Sequence, residues 1–391
     1  MPTDDRVIRY LTENSSAMVR LLESLTLAES PSSVASSQLP VKQILQQEFA
    51  QLGFHVRALA GSSSGGSLFA RPKHRERNAG RQLLLGHFDT VWPMGTLVNM
   101  PFAVEGNVIK GPGVFDMKGG IVQIVFALRA IRDLDLLPQL TPLVFLNSDE
   151  EIGSRESGKY VRLLAQRVER AFVMEPSLGV DGAIKTARKG VGRFTVRVKG
   201  KAAHAGLDPG SGASAILELS HVIQRLFELN DPGRGISVNV GTVDGGIRPN
   251  VVAPESRAVI DVRVTSHEDA ARIESQIRAI EPETPGVTLA IDGFIGRPPL
   301  ERTEANRKLW MQAQQIARSL DIELTEGLAG GGSDGSTTSQ YTATLDGMGP
   351  VGDGAHAPHE YLLLDKTIER AALLTLLILA PTINEESYDE R

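Results

Sequence analysis

The sequence predicts an α/β protein whose larger, mixed-sheet domain is interrupted by an inserted α+β domain, and three features carry that prediction. Short apolar runs flanked by polar or glycine-rich turns alternate with helical stretches through the first half. From about residue 193 the pattern becomes strict apolar and polar alternation, and after Pro298 and Pro299 it returns to an α/β character. At 391 residues the chain is long enough for two hydrophobic cores. The expected boundaries are 1–188 and 301–391 for the larger domain and 189–300 for the insert.

The runs at 82–85, 143–146 and 171–174 suit strands buried on both faces. Between the first two, residues 119–134 carry apolar side chains at helical spacing after a glycine pair, as a crossover helix requires. In the insert, Phe194, Val196 and Val198 alternate with Thr195, Arg197 and Lys199, which marks a half-exposed strand. A helix at 213–229, strands at 236–242 and 257–264, a helix at 268–280 and a strand at 287–294 follow. The order βαββαβ is that of a small α+β sandwich. The apolar stretch 371–380 is too short to span a bilayer and stops at Pro381, so it reads as a buried C-terminal helix. Of two compositionally biased segments, 61–67 and 327–336, the first reads as a flexible surface loop.

Composition narrows the function classes. An apolar share of 41% and a charged share of 23% describe a soluble globular protein and exclude collagen-like, mainly disordered and membrane-embedded chains. The net charge of −6, with Lys and Arg dispersed, argues against nucleic acid and for a small molecule or peptide as partner. The start MPTDDRVIRYL is acidic where a signal peptide is basic, and no apolar region follows, so the expected location is cytoplasmic. There is no cysteine, so a transition metal must be held by His, Asp and Glu.

In LLLGHFDTV, His87 and Asp89 sit just beyond a buried strand with both side chains directed the same way. Asp89 could orient the His87 imidazole as a metal ligand, or the pair could be an ordinary hydrogen-bonded His at a loop. In GPGVFDMKGG, Asp116 either projects from a tight turn or caps the following helix. In LVFLNSDEEIGS, Asp149, Glu150 and Glu151 crowd a strand end, where they repel one another unless a cation or full solvation relieves them. FVMEPS ends a strand in Glu175, and GAHAPHEY supplies His356 and His359. Together these loops offer the oxygen and nitrogen donors that suit zinc or cobalt.

The series GHFDTV, GPGVFDMKGG, NSDEEIGS, MEPS, KGKAAHAG and GAHAPHEYL resembles, in order and approximate separation over nearly the whole chain, the di-zinc family that includes bacterial glutamate carboxypeptidase, aminoacylase and acetylornithine deacetylase. The resemblance implies a zinc exopeptidase-like fold with a dimerisation or lid domain. It also implies two divalent metal ions per subunit, zinc first and cobalt or manganese as alternatives. His87 and Glu175 would bind one metal, Glu151 and His356 the other, and Asp116 both. Asp89 would support His87, and Glu150 would be an unligated general base. His204 of KGKAAHAG would reach the partner subunit's active site and stabilise the oxyanion, which implies a homodimer. Arg297 of GRPPL and Asn250 of RPNVVA stand where relatives recognise substrate, with Arg263 as a further candidate for a substrate carboxylate. The GGGSD segment 330–334, including Gly331, resembles a loop that lines the pocket.

The implied reaction is metal-assisted amide hydrolysis. TVWPMGT and PFAVEGNVIKGPG are more similar to the carboxypeptidase branch, which points to release of a C-terminal amino acid, glutamate first, from an N-acyl or peptidyl conjugate. Met117 departs from that branch, whose members carry a second acidic residue there. Rival expectations are an aminoacylase or N-acetyl amino acid deacetylase, and a catalytically silent ligand-binding relative.

Overall fold

Leu83, Leu84 and Leu85 have no exposed surface, because their strand, Arg81–His87, lies in the middle of a sheet covered on both faces. The computed structural model describes residues 2–74 and 79–383. The chain forms two compact units, one of Met1–Thr186, Arg302–Leu328 and Ser333–Arg391, the other of Ala187–Glu301 and Ala329–Gly332.

The first unit is built on a six-stranded sheet in the order Phe54–Leu59, Ser67–Pro72, Thr141–Asn147, Arg81–His87, Arg170–Val173 and Ala343–Leu345. The last four strands run parallel to one another, and Ser67–Pro72 pairs antiparallel with both of its neighbours, so the sheet is mixed. Three parallel strands end side by side, with His87 level with Asn147, and the loops that follow their carboxyl ends carry the chemistry-bearing residues. The helix Gly119–Asp133 is buried on nearly every side between sheet and neighbours that include the apolar C-terminal helix Leu364–Leu379. A small antiparallel sheet, in the order Gly352–Asp353, Tyr361–Leu363, Val108–Lys110 and Ala103–Glu105, pairs Tyr361 with Lys110. It draws the turn after Lys110 and the connection 354–360 together.

The glycine pair that opens the long helix is a packing requirement. A Cβ on Gly120 would lie 2.2 Å from the Met174 carbonyl oxygen, so only glycine lets the helix start so close to the strand end that precedes Glu175. Gly120→Ala is therefore expected to cost about 1–3 kcal/mol of stability through overpacking. A denaturant melt that matches the wild type would refute this.

The second unit is a four-stranded antiparallel sheet, in the order Ser237–Gly245, Glu255–Val264, Gly190–Lys199 and Thr288–Arg297, with helices Ala215–Glu228 and His267–Arg278. Phe194, Val196 and Val198 are buried on the helix side with Ala258, Ile260 and Val262, while Arg193, Arg197 and Lys199 are exposed. Ala329 stays with this unit because its carbonyl accepts from Lys189 N–H at 2.9 Å. Among the described residues no helix is long and apolar enough to cross a membrane.

Candidate active site

His87 is the last residue of a central strand and is 1% exposed, so its ring can reach only what the neighbouring loops present. Nε2 lies 3.3 Å from Asp116 Oδ1 and 3.6 Å from Glu175 Oε1. On the other side of the ring, Nδ1 is 3.0 Å from the Asp89 carbonyl and 3.4 Å from its carboxylate, so Asp89 fixes the ring through backbone and side chain together. The same carboxylate accepts from the Ser32 hydroxyl at 2.6 Å, from Glu150 N–H at 3.3 Å and from Glu151 N–H at 3.2 Å. One buried aspartate thus orients the imidazole and holds the loop that bears Glu150 and Glu151.

Asp116 lies in an irregular turn, Val114–Lys118, whose Asp116–Met117 peptide is cis. Its two oxygens point to two histidines. Oδ1 faces His87, and Oδ2 lies 3.5 Å from His356 Nε2, which is itself 3.1 Å from Glu151 Oε2. Nδ1, Nε2 or carboxylate atoms of His87, Asp116 and Glu151 fall within 4.8 Å of one another, as do those of His87, Glu150 and Glu175. His359 is exposed.

The electrostatics follow from crowding acids around imidazoles. Burial alone would lower the His87 imidazole, but the approach of Asp116 and Asp89 raises it well above the ordinary histidine range. Asp116 and Glu151 push the His356 ring up to about 10. Burial would raise Asp116, yet His356 and His87 hold it well below the carboxylate range, whereas burial takes Glu151 up to about 7 against the pull of His356. Positive charge is what this cluster demands.

The donor set fits divalent cations. His87 Nε2, Asp116 Oδ1 and Glu151 Oε1 are buried without a hydrogen-bond partner, a costly arrangement for groups that are good ligands. All donors are nitrogen or carboxylate oxygen, in keeping with a cysteine-free chain.

The other residues singled out in the sequence lie in the second unit. His204 is bridged to Val251, and Ala205 N–H donates to the Asn250 carbonyl at 3.0 Å, so His204 and Asn250 are neighbours. His204 Nδ1 accepts from Gly206 and Leu207 N–H at 3.1 and 3.2 Å, which leaves the proton on Nε2 and makes the exposed edge of the ring a donor. Arg297 ends a strand and packs its stem near Gly332. Arg263 is held by Asp261 at 2.8 Å and donates to the Gly330 carbonyl at 3.3 Å, while Arg188 donates to the Gly331 carbonyl at 3.0 Å.

Three supporting contacts are not among the sequence-based expectations. Asp334, the last residue of GGGSD, accepts from Asn147 Nδ2 at 2.6 Å and from the Ser154 hydroxyl, bracing the loop that holds Glu150 and Glu151. The serine-rich segment expected as a flexible loop is pinned: Glu156 accepts from the N–H groups of Ser62, Ser63 and Ser64 and from the hydroxyls of Ser62 and Ser64. Glu360, fully buried, accepts backbone hydrogen bonds from the Asp116 turn. Only Glu360 had a usable cue, a carboxylate four residues after His356 in an otherwise apolar and His-containing turn.

A mixed α/β sheet whose strand ends gather the buried His87 and several carboxylates, with the more exposed His356 beside them, is an arrangement suited to a metal-dependent hydrolase. The chain belongs to peptidase family M20/M25/M40, whose family model matches residues 83–380. It is 28% identical over 384 residues to carboxypeptidase G2 of Pseudomonas sp. (strain RS-16), covering 96% of this chain and 92% of that one. Its fold is similar to that of aminopeptidase PepT from Bacillus cereus, with a TM-score of 0.77 and 19% identity over 93% of this chain and 98% of that one. It is similar also to the Bacillus subtilis YXEP protein, described as a dinuclear metal binding peptidase from the M20 family, with a TM-score of 0.69 and 16% identity over 94% and 98% of the two chains.

Proposed function

We propose that this protein is a two-metal carboxypeptidase that hydrolyses an amide bond to release a C-terminal amino acid, glutamate first, from an N-acyl or peptidyl conjugate. The observation that carries the two-metal part is Asp116, whose oxygens face two different imidazoles in a cluster with unpartnered buried donors. His87 and Glu175 would hold one cation, Glu151 and His356 the other, and Asp116 both, with zinc the leading ion and cobalt or manganese alternatives. When bound, such cations polarise the scissile carbonyl and lower the pKa of water from about 15.7 towards neutrality.

The chain's own residues supply the rest. Glu150 takes the proton of the attacking water and delivers it to the departing amine, while Asp89 keeps its backbone N–H in place. The Nε2–H of His204, contributed by a second subunit, donates to the developing oxyanion. Arg297, Asn250 and the backbone around Gly331 receive the substrate carboxylate, and Arg263, already paired with Asp261, acts on them through the Gly330 carbonyl. A homodimer formed by the second unit is supported by the outer strand Ser237–Gly245, which among the described residues pairs along one edge only, carries exposed Val243 and lies near exposed Ile216 and Ile247. Cytoplasm is the proposed location.

The carboxypeptidase reading is supported by the similarity to carboxypeptidase G2 along nearly the whole chain, and the preference for glutamate rests on the resemblance of TVWPMGT and PFAVEGNVIKGPG to the glutamate carboxypeptidase branch. Zinc- or cobalt-reconstituted enzyme assayed on glutamyl conjugates, other dipeptides and acetylated amino acids tests it, with the highest kcat/KM expected on a glutamyl conjugate. Negligible rates on all of those alongside rapid deacetylation would replace the carboxypeptidase reading with the deacetylase one. Sedimentation of the same preparation at monomer mass would remove the partner-subunit role of His204.

A further inference from the structure

Two segments far apart in sequence meet at the side chain of Glu360, which is 1% exposed. Its Oε1 accepts from Phe115 N–H at 2.9 Å and Asp116 N–H at 3.0 Å. Its Oε2 accepts from Gly113 N–H at 2.9 Å and from the Trp92 indole N–H at 2.7 Å. Every partner is a donor, so the group that matches them is an ionised carboxylate; an amide would turn its own N–H bonds towards other donors. The backbone of Glu360 adds to the tie by accepting from Gly111 N–H, one residue before the strand pairing of Tyr361 with Lys110.

On its own side, Glu360 anchors the turn that begins at Gly354, with Glu360 N–H donating to the Ala357 carbonyl at 3.0 Å. That turn holds His356 at φ +60°, a conformation that non-glycine residues seldom adopt and that surroundings must enforce. His356 Nε2 then stands 3.5 Å from Asp116 Oδ2.

We propose that Glu360 is a positioning residue of the metal centre: its carboxylate locks the Asp116 turn to the His356 turn and so sets the spacing between the shared carboxylate and the second imidazole. This rests on the two-metal reading above. The lock bears most on the cation position that needs His356 and Glu151, since both turns it joins serve that position, whereas the other shares only Asp116 and takes His87 and Glu175 from strand ends that Glu360 does not touch.

The test is a calorimetric zinc titration of metal-stripped wild-type protein and the Glu360→Gln variant, with circular dichroism to confirm that both are folded. Two sites are expected in the wild type. In the variant the site that needs His356 weakens by about 10–100-fold, the usual consequence of removing a group that orients a ligand, and the other, which shares only Asp116, weakens by clearly less. Unchanged affinity at both sites overturns the assignment, and so does equal weakening at both, which is general damage. Wild-type protein that binds no zinc overturns this proposal and the two-metal reading together. Should Glu360→Gln yield no folded protein, Glu360→Asp keeps the charge but withdraws it by one methylene. Uneven weakening is again expected, smaller in size, and wild-type affinity at both sites overturns the assignment.

Discussion

Glu150→Gln is expected to bind as much metal as the wild type while kcat falls by about 10²–10⁴-fold, the range that a positioned acid–base group contributes. The substitution keeps side-chain length and leaves the Glu150 N–H bonded to Asp89, so the loop keeps its path. What it removes is the capacity to accept a proton. Metal content by atomic emission, measured beside steady-state rates, separates two roles that the geometry allows, because Glu150 also falls within 4.8 Å of His87 and Glu175 donors. A loss of metal would make Glu150 a ligand, and full turnover would remove it as the base.

Asp116→Ala carries the other large effect. One side chain supplies an oxygen to each of two imidazole neighbourhoods, so its removal strips a donor from both cation positions at once. The expected result is one metal or fewer per chain and a loss of about 10³-fold or more in kcat/KM, since such cations contribute several kcal/mol to the transition state. The fold should survive, because the Asp116 N–H still donates to Glu360 and the turn keeps its backbone tie. Two metals bound and activity within tenfold of wild type would dismiss Asp116 as the shared ligand.

The parts of the architecture legible in the sequence are those in which side-chain pattern reports burial. The runs at 82–85 and 143–146 lie within strands Arg81–His87 and Thr141–Asn147, and the glycine-led stretch 119–134 is the helix Gly119–Asp133. The insert's alternation was equally readable, because one sheet face is covered and the other wet. The strand Ser67–Pro72 was not, since it follows a serine-rich loop and is antiparallel within an otherwise α/β pattern. The three-residue strands Val108–Lys110 and Tyr361–Leu363 are too short to show any period, yet they bring the Asp116 and His356 turns together.

Site residues divide in the same way. His87, Asp116, Glu151, Glu175 and His356 lie close to one another, and the sequence marks each by its place near a strand end or in a motif; their roles as ligands are the proposal made above. The supports escaped because they act on the backbone. Glu360 and Glu156 recognise N–H groups, and any sequence offers those, so nothing in the partner segment marks the contact. Asp334 pairs with Asn147 and Ser154 across a separation that only the folded sheet closes.

The insert divides the centre in time as well as in sequence. Ribosomes add about 5–20 residues per second, so roughly ten to forty seconds separate the synthesis of Glu175 from that of His356. During that interval the nascent chain carries His87, Asp116, Glu150, Glu151 and Glu175 but lacks both the last imidazole and the carboxylate that holds its turn. The strand Ala343–Leu345 at the sheet edge and the closing helix Leu364–Leu379 belong to the same late portion. Translation therefore delivers His87 and most of the carboxylates first and the second imidazole with its Glu360 tie last, so the complete cluster cannot form before residue 360 has been made.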